Sequence, residues 1–152
     1  MAEQPAGPVL DDQVCFALYA ASRAVTALYR PLLDDLGLTY PQYLVLLALW
    51  EHDALTVKDL GRALQLDSGT LSPLLKRLEK LELVRRERRS DDERSVLVTL
   101  TAKGDELRAK AVPLPGLVGD AMGLDGPDLY ELRTTLRELT DSVNAYRAAL
   151  PQ

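Results

Sequence analysis

Cys15 is the only cysteine in the chain. A thiol reacts as its thiolate, which is favoured at the positive N-terminal end of a helix. Cys15 falls within the first turn or so of an amphipathic segment that Asp11 or Asp12 can cap. Those two carboxylates oppose the thiolate, and the sequence leaves the balance open. In its plainest reading, a lone cysteine on an apolar helix face is a small packed hydrophobe. Three tyrosines, Tyr19, Tyr29 and Tyr40, make a reactive role worth weighing. Tyrosines mostly pack, but a phenolic O–H can donate to a thiolate and hold it charged. Tyr19 lies one helical turn from Cys15, on the same face. Tyr29 is 14 residues away, roughly 21 Å along a straight helix. It cannot touch the Cys15 of its own chain. It can reach the Cys15 of a second copy if two such helices cross antiparallel.

A second set of residues is suited to binding. Five arginines, Arg85, Arg86, Arg88, Arg89 and Arg94, crowd a short stretch of a chain whose net charge is −5. Arginine fits phosphate forks and narrow minor grooves. The stretch reads as a strand (Leu83–Arg88), a charged turn (Arg89–Arg94) and a second strand (Ser95–Leu100). The second strand alternates Val96, Val98 and Leu100 against Leu97, Thr99 and Thr101. Just upstream, Leu71, Leu74, Leu75, Leu78 and Leu81 recur at steps of three and four, one face of a helix. The other face carries Ser68, Thr70, Ser72, Lys76, Arg77 and Lys80. Pro73 predicts that the regular helix begins nearer Gly69 or Thr70 than Asp67. The plain reading is a solvated helix and an exposed hairpin. The clustered arginines favour another: a winged helix-turn-helix, with the helix in a DNA major groove and the hairpin tip at the backbone or minor groove. Ser68, Thr70 and Ser72 then approach base edges, while Lys76 and Arg77 approach phosphates. Arg86 joins the same DNA-binding set. Arg94 enters the minor groove, with Asp92 orienting it through a charge-assisted bond.

Asp92-x-Arg94, followed by Val98-x-Leu100-Thr101 and Gly104, resembles the wing signature of the MarR family of bacterial regulators. The run LDSGTLSPLLKRLE (Leu66–Glu79) is similar to its organic-hydroperoxide-sensing branch, the OhrR type. The resemblance covers nearly the whole chain. It implies a homodimeric repressor whose reduced form binds an inverted-repeat operator in double-stranded DNA. It implies a reactive cysteine at Cys15, with tyrosines at Tyr29 and Tyr40 supplied across the dimer, and release of the operator when an organic hydroperoxide oxidises that cysteine. Branches with a second, resolving cysteine differ from this chain. Oxidised Cys15 must therefore be captured by a low-molecular-weight thiol, cyclise to a sulfenamide, or over-oxidise.

Composition narrows the alternatives. A chain of 152 residues, 47% apolar and 5% aromatic, suits one mainly helical domain. Lys58 to Arg94 holds ten basic and eight acidic residues, a net of +2, and the remainder holds eight and fifteen, a net of −7. Positive charge is thus gathered on the proposed DNA face. One cysteine and one histidine, His52, make a metal cluster unexpected, and neither a P-loop nor GxGxxG appears. Neither a signal peptide nor a membrane span is evident, so a reducing, cytoplasmic setting is expected, without cofactor.

The elements that must position these residues follow in order. Met1–Leu10 reads as a loose tail. A helix runs from about Asp11 to Leu36, kinked or broken at Pro31 and stopped by Gly37. Thr39 caps the next helix, with Pro41 in its first turn, through Tyr43, Leu44, Leu46, Leu47 and Trp50. Thr56 starts a short helix as Thr-x-x-Asp59, with Leu60, Ala63 and Leu64 facing the core. Thr101 caps a helix from Ala102 that Pro113–Gly116 interrupts before Leu117–Met122 resumes it. A last helix begins near Gly126, with Leu129, Leu132, Leu136, Leu139, Val143 and Tyr146 forming a coiled-coil-like seam. The expected organisation is one domain over 1–152. Its DNA-binding part spans about 39–101, and dimerisation helices span about 11–36 and 102–147. The rivals are a ligand-responsive MarR-type regulator with a merely packed Cys15, a one-cysteine thiol peroxidase, and a structural dimerisation module. No histidine near Cys15 offers the peroxidase a base, and the module leaves the arginines unexplained. The chain is therefore read as a regulator and not as an enzyme.

Overall fold

The structure, a computed structural model, describes residues 7–92 and 94–152. Met1–Ala6, most of the expected tail, and Glu93 in the expected turn lie outside the described residues. The elements are α1 (Val14–Asp34), α2 (Tyr40–His52), β1 (Ala54–Thr56), α3 (Val57–Leu64), α4 (Ser68–Lys80), β2 (Val84–Arg88), β3 (Val96–Leu100), α5 (Ala102–Ala111), α6 (Leu114–Ala121) and α7 (Gly126–Ala149). They form two compact units, one ending at Val112 and one running from Pro113 to Gln152. The first unit holds a winged helix-turn-helix, mainly α with a small antiparallel sheet, as the sequence predicts.

Its first helix begins later than expected. Asp11 and Asp12 do not cap α1. They lie in a single 3-10 turn (Leu10–Asp12), and Gln13 takes the N-cap position without a capping bond. The Gln13 side-chain amide donates instead to the Val9 carbonyl at 3.1 Å. Pro31 does not break α1, which continues to Asp34. So close to the helix end, the missing N–H forfeits one bond, to Ala27, with little helix left to propagate the loss. Gly37, at φ +69°, stops the helix as predicted. Leu38 N–H reaches the Leu33 carbonyl (3.2 Å) and Gly37 N–H the Asp34 carbonyl (3.0 Å), closing the last turn.

Helix α2 is the core of this unit. A capping box starts it: Gln42 N–H donates to Thr39 Oγ1 (3.4 Å) and Thr39 N–H to Gln42 Oε1 (3.0 Å). Tyr43, Val45, Leu46, Leu49 and Trp50 are buried and Leu47 is exposed. The helix packs against α1, α3, α4 and α5. Helix α3 is capped by Thr56, whose hydroxyl accepts from Asp59 N–H at 3.1 Å. Leu60 is buried, but Ala63 faces out. Gln65, at φ 55°, makes the left-handed turn between α3 and α4.

Helix α4 begins at Ser68, earlier than Pro73 suggested. The Asp67 carboxylate accepts the Thr70 N–H at 2.7 Å, and the Leu71 N–H reaches the Asp67 carbonyl at 3.0 Å. That first turn is closed before Pro73 can interfere. Leu71, Leu75 and Leu78 are fully buried, each contributing about 1.5–3 kcal/mol by leaving water. Leu81 falls beyond the helix as its C-cap and is exposed.

The sheet has a strand that the sequence did not announce. Its order is β1-β3-β2, antiparallel throughout, with Leu55 opposite Val98 and Arg86 opposite Val98. Flanked on both edges, β3 loses the clean alternation expected of it. Val98 is buried, while Val96, Leu97, Thr99 and Leu100 are all partly covered. Thr101 caps α5 through the Gly104 N–H (3.1 Å).

In the second unit, α6 starts at Leu114, so the interruption is shorter than expected. Pro115 falls in the first turn, where a proline is tolerated. Asp125 caps α7 through the Asp128 N–H (2.9 Å). Leu132, Leu136, Val143 and Tyr146 on α7 are exposed, at 36 to 71%. Among the described residues no helix is long and apolar enough to cross a membrane.

Candidate nucleic-acid interface and thiol site

The buried leucines of α4 fix which face the helix presents. Ser68, Thr70, Ser72, Lys76, Arg77 and Lys80 are all exposed, as the period requires. The Thr70 N–H holds the Asp67 carboxyl below the usual carboxylate range, with the Thr70 side chain adding to it. The N-cap is therefore ionised at neutral pH, and it keeps the first turn of α4 closed.

The wing is tied to α4 by an ion pair. The Arg86 guanidinium, on β2, donates to the Glu79 carboxylate on α4, and both side chains are about two-thirds buried. Arg86 thus braces helix against wing, which the expectation of a simple DNA contact did not include. At the turn, Arg89 forks onto Asp91 at 3.0 and 3.1 Å. Asp92 does not meet the Arg94 guanidinium among the described contacts. Its carboxylate accepts the Arg94 backbone N–H at 3.0 Å, and its carbonyl accepts the Ser95 N–H at 3.0 Å. Asp92 therefore shapes the main chain that carries Arg94, instead of steering its side chain. A groove of about 860 Å³ lies between α3, the start of α4 and the wing. Five of the predicted residues line it: Ser68, Ser72, Arg86, Asp92 and Arg94. Thr70, Lys76 and Arg77 lie outside it on the exposed face of α4. Lys58 and Arg62 of α3 also line the groove. The charge count over Lys58 to Arg94 included both, but neither was singled out as a contact residue.

Cys15 and Tyr29 lie toward opposite ends of α1. Cys15 is the second residue of the helix and is exposed. Tyr19 is also exposed, with the Arg23 guanidinium 5.6 Å over its ring. At the far end, Tyr29 lies against Tyr40 (centroids 4.6 Å apart) and Tyr43 (5.6 Å). Burial, then the neighbouring Tyr43 and Tyr40, push the Tyr29 phenol up to about 12. Burial raises Tyr40 as well, and burial followed by Tyr40 raises Tyr43. All three phenols stay protonated at neutral pH and are available as donors. Tyr43 is the member that sequence reasoning missed. It read as core, although its i,i+3 spacing from Tyr40 was the available signal.

Residues 27–110 match the family described as "Transcriptional regulator SarA/Rot". Over 135 residues the chain is 51% identical to the organic hydroperoxide resistance transcriptional regulator of Bacillus subtilis, covering 89% of this chain and 92% of that one. The chain belongs to the MarR/SarA family of transcriptional regulators. Within that family it is of the OhrR type. Among solved MarR/SarA structures, reduced AbfR bound to DNA matches with a TM-score of 0.78 at 35% identity, over 90% of this chain and 94% of that chain. The disulfide form of AbfR matches with a TM-score of 0.63 at 39% identity, over 86% and 92%. As a MarR/SarA protein, the chain is a DNA-binding transcriptional regulator. The α4 face and the wing are its candidate DNA-reading surface.

Proposed function

We propose that this MarR/SarA regulator is a homodimeric repressor that holds an inverted-repeat operator while Cys15 is reduced and releases it once an organic hydroperoxide oxidises Cys15. The observation that carries the reading is the separation along α1. An exposed thiol stands at one end and a paired Tyr29 and Tyr40 at the other, and neither can serve the other within one chain. A two-fold axis that crosses two α1 helices antiparallel brings each tyrosine pair to its partner's thiol. The exposed apolar seam of α7 supports a second copy, since a lone chain leaves it in water. The name of the Bacillus subtilis relative and the redox-defined AbfR structures support the same class of signal.

The chemistry needs nothing beyond the reactants. The Cys15 thiolate attacks one peroxide oxygen, the O–O bond breaks, and the alkoxide leaves and takes a proton as the alcohol. Sulfur is oxidised by two electrons to the sulfenic acid and the peroxide is reduced. A low-molecular-weight thiol then displaces water from the sulfenic acid, leaving a mixed disulfide. The enlarged side chain cannot keep the phenolic donors of the partner chain. Lost hydrogen bonds and overpacking each cost on the order of 1–3 kcal/mol. Two symmetric sites bring this to the scale that separates specific from non-specific DNA binding, about 4–10 kcal/mol.

On the DNA side, Ser68, Thr70 and Ser72 approach base edges, and Lys76 and Arg77 approach phosphates. Arg94 enters the minor groove from a turn that Asp92 shapes. The test is titration of a duplex selected in vitro for tight binding to the reduced protein, with and without cumene hydroperoxide. Loss of binding on oxidation of Cys15 supports the reading, and undiminished binding by fully oxidised protein refutes it.

A further inference from the structure

The first unit contains a continuous buried path that leads from the tyrosine cluster to the base of the wing. Tyr43 packs on Tyr29 at one side, and at the other it meets Trp50, two turns along α2, edge-on with centroids 6.3 Å apart. The Trp50 indole N–H donates to the Gly104 carbonyl at 3.0 Å, a buried hydrogen bond between residues 54 apart in the chain. Gly104 lies at a junction. A Cβ there would collide with the Leu83 carbonyl oxygen, so only glycine permits this approach. The same Leu83 carbonyl accepts the Thr101 N–H (3.1 Å), and the Leu83 N–H reaches back to Leu78 on α4 (3.0 Å). Thr101 also donates its hydroxyl to the Glu82 carbonyl. The end of α4, the entry to β2, the exit from β3 and the start of α5 all meet at this point.

We propose that Trp50 is the positioning residue that couples the tyrosine cluster to the wing and α4. The inference rests on the proposed thiol response and adds the element that carries it. Close-packed interiors do not deform gradually, so a displaced Tyr29–Tyr40 pair moves Tyr43, and with it the Trp50 ring. The indole N–H has a fixed direction and a single buried acceptor. Movement of the ring either drags Gly104 along or breaks the bond, and both outcomes disturb the junction that aims α4 and the wing. The indole N–H, satisfied by the Gly104 carbonyl, ties α2 to the start of α5 across 54 residues.

The experiment has two arms. In the first, Trp50→Phe keeps an aromatic ring but removes the donor. Cys15 of this variant should consume cumene hydroperoxide at the parent's rate, and the reduced variant should still bind the selected duplex. The ratio of reduced to oxidised affinity should fall by about fivefold or more. An unchanged ratio, in a parent that does release the duplex, overturns the coupling and leaves the thiol response standing. A parent that keeps the duplex after full oxidation of Cys15 removes both. The second arm uses the unaltered chain, and so decides the matter even where Trp50→Phe fails to fold. Trp50 is the only tryptophan, so intrinsic emission reports its surroundings alone. Oxidation of Cys15 should shift that emission, and Cys15→Ser treated identically should be silent. Emission that stays fixed while the parent releases the duplex contradicts the proposal.

Discussion

Tyr29 and Tyr40 lie ring against ring, 4.6 Å between centroids, at the end of α1 remote from Cys15. The packing partly buries both phenols and raises the affinity of each for its proton. For Tyr29 the folded value is about 12, against 10.0 for a free phenol. A group whose folded value is raised keeps its full stabilising contribution below the unfolded value and loses it as pH climbs through the folded one. Stability should therefore hold up to about pH 10 and fall between about 10 and 12. Tyr29→Phe should flatten that decline when thermal midpoints are measured across the alkaline range. An equally steep decline in the variant would show that Tyr29 does not titrate within the fold.

Arg94→Ala should weaken binding to the selected duplex about tenfold or more at physiological salt, with the sedimentation mass the same as the parent's. Asp92→Ala should weaken it less, because Asp92 holds the main chain at the turn and leaves the guanidinium in place. Fluorescence anisotropy and sedimentation read both effects. Equal affinity for Arg94→Ala and parent would remove the wing from the contact.

Lys76→Ala should lower affinity for every sequence alike and reduce the salt slope by about one per subunit. A loss confined to one base position, with the slope intact, would assign Lys76 to base reading instead.

Arg86 and Glu79 should behave as a pair. Each of Arg86→Met and Glu79→Gln should destabilise the fold, and the double variant should cost less than their sum by about 1 kcal/mol. Denaturant titration of the four proteins measures this. Additivity would mean that the ion pair does not brace helix against wing.

Much of this arrangement was legible in the sequence, wherever local chemistry decides local structure. Thr39, Thr56 and Thr101 cap the helices they precede, Gly37 ends α1, and the leucine period of α4 divides buried from exposed residues. The features that escaped depend on partners distant in the chain. Ala54–Thr56 is a strand only because β3 accepts it. Arg86 is an ordinary cation until α4 brings Glu79 beside it. Tyr43 looked like any core residue until α1 set Tyr29 on it. The start of α1 was misjudged for a different reason. Two adjacent aspartates are good caps in isolation, but the chain spends them on a 3-10 turn. The start of α4 was set too late because Asp67 completes the first turn before Pro73 is reached.

The α7 seam should make unfolding depend on concentration. In an obligate dimer, folding and association are one equilibrium, so the thermal midpoint rises with protein concentration. Leu136→Glu, placing a charge on the exposed apolar face, should shift the protein toward monomer by sedimentation. A concentration-independent midpoint together with a monomeric mass for the parent would contradict a dimer built on this seam.

Oxidation of Cys15 is proposed to be the event that releases DNA. The most direct test follows both events in one sample. Cumene hydroperoxide and a small thiol are added to the protein–duplex complex, the modification of Cys15 is counted by intact mass, and duplex release is read by anisotropy. Release should track the modified fraction, and Cys15→Ser should bind the duplex normally and keep it throughout. Release of the duplex by Cys15→Ser under the same treatment would contradict the proposal.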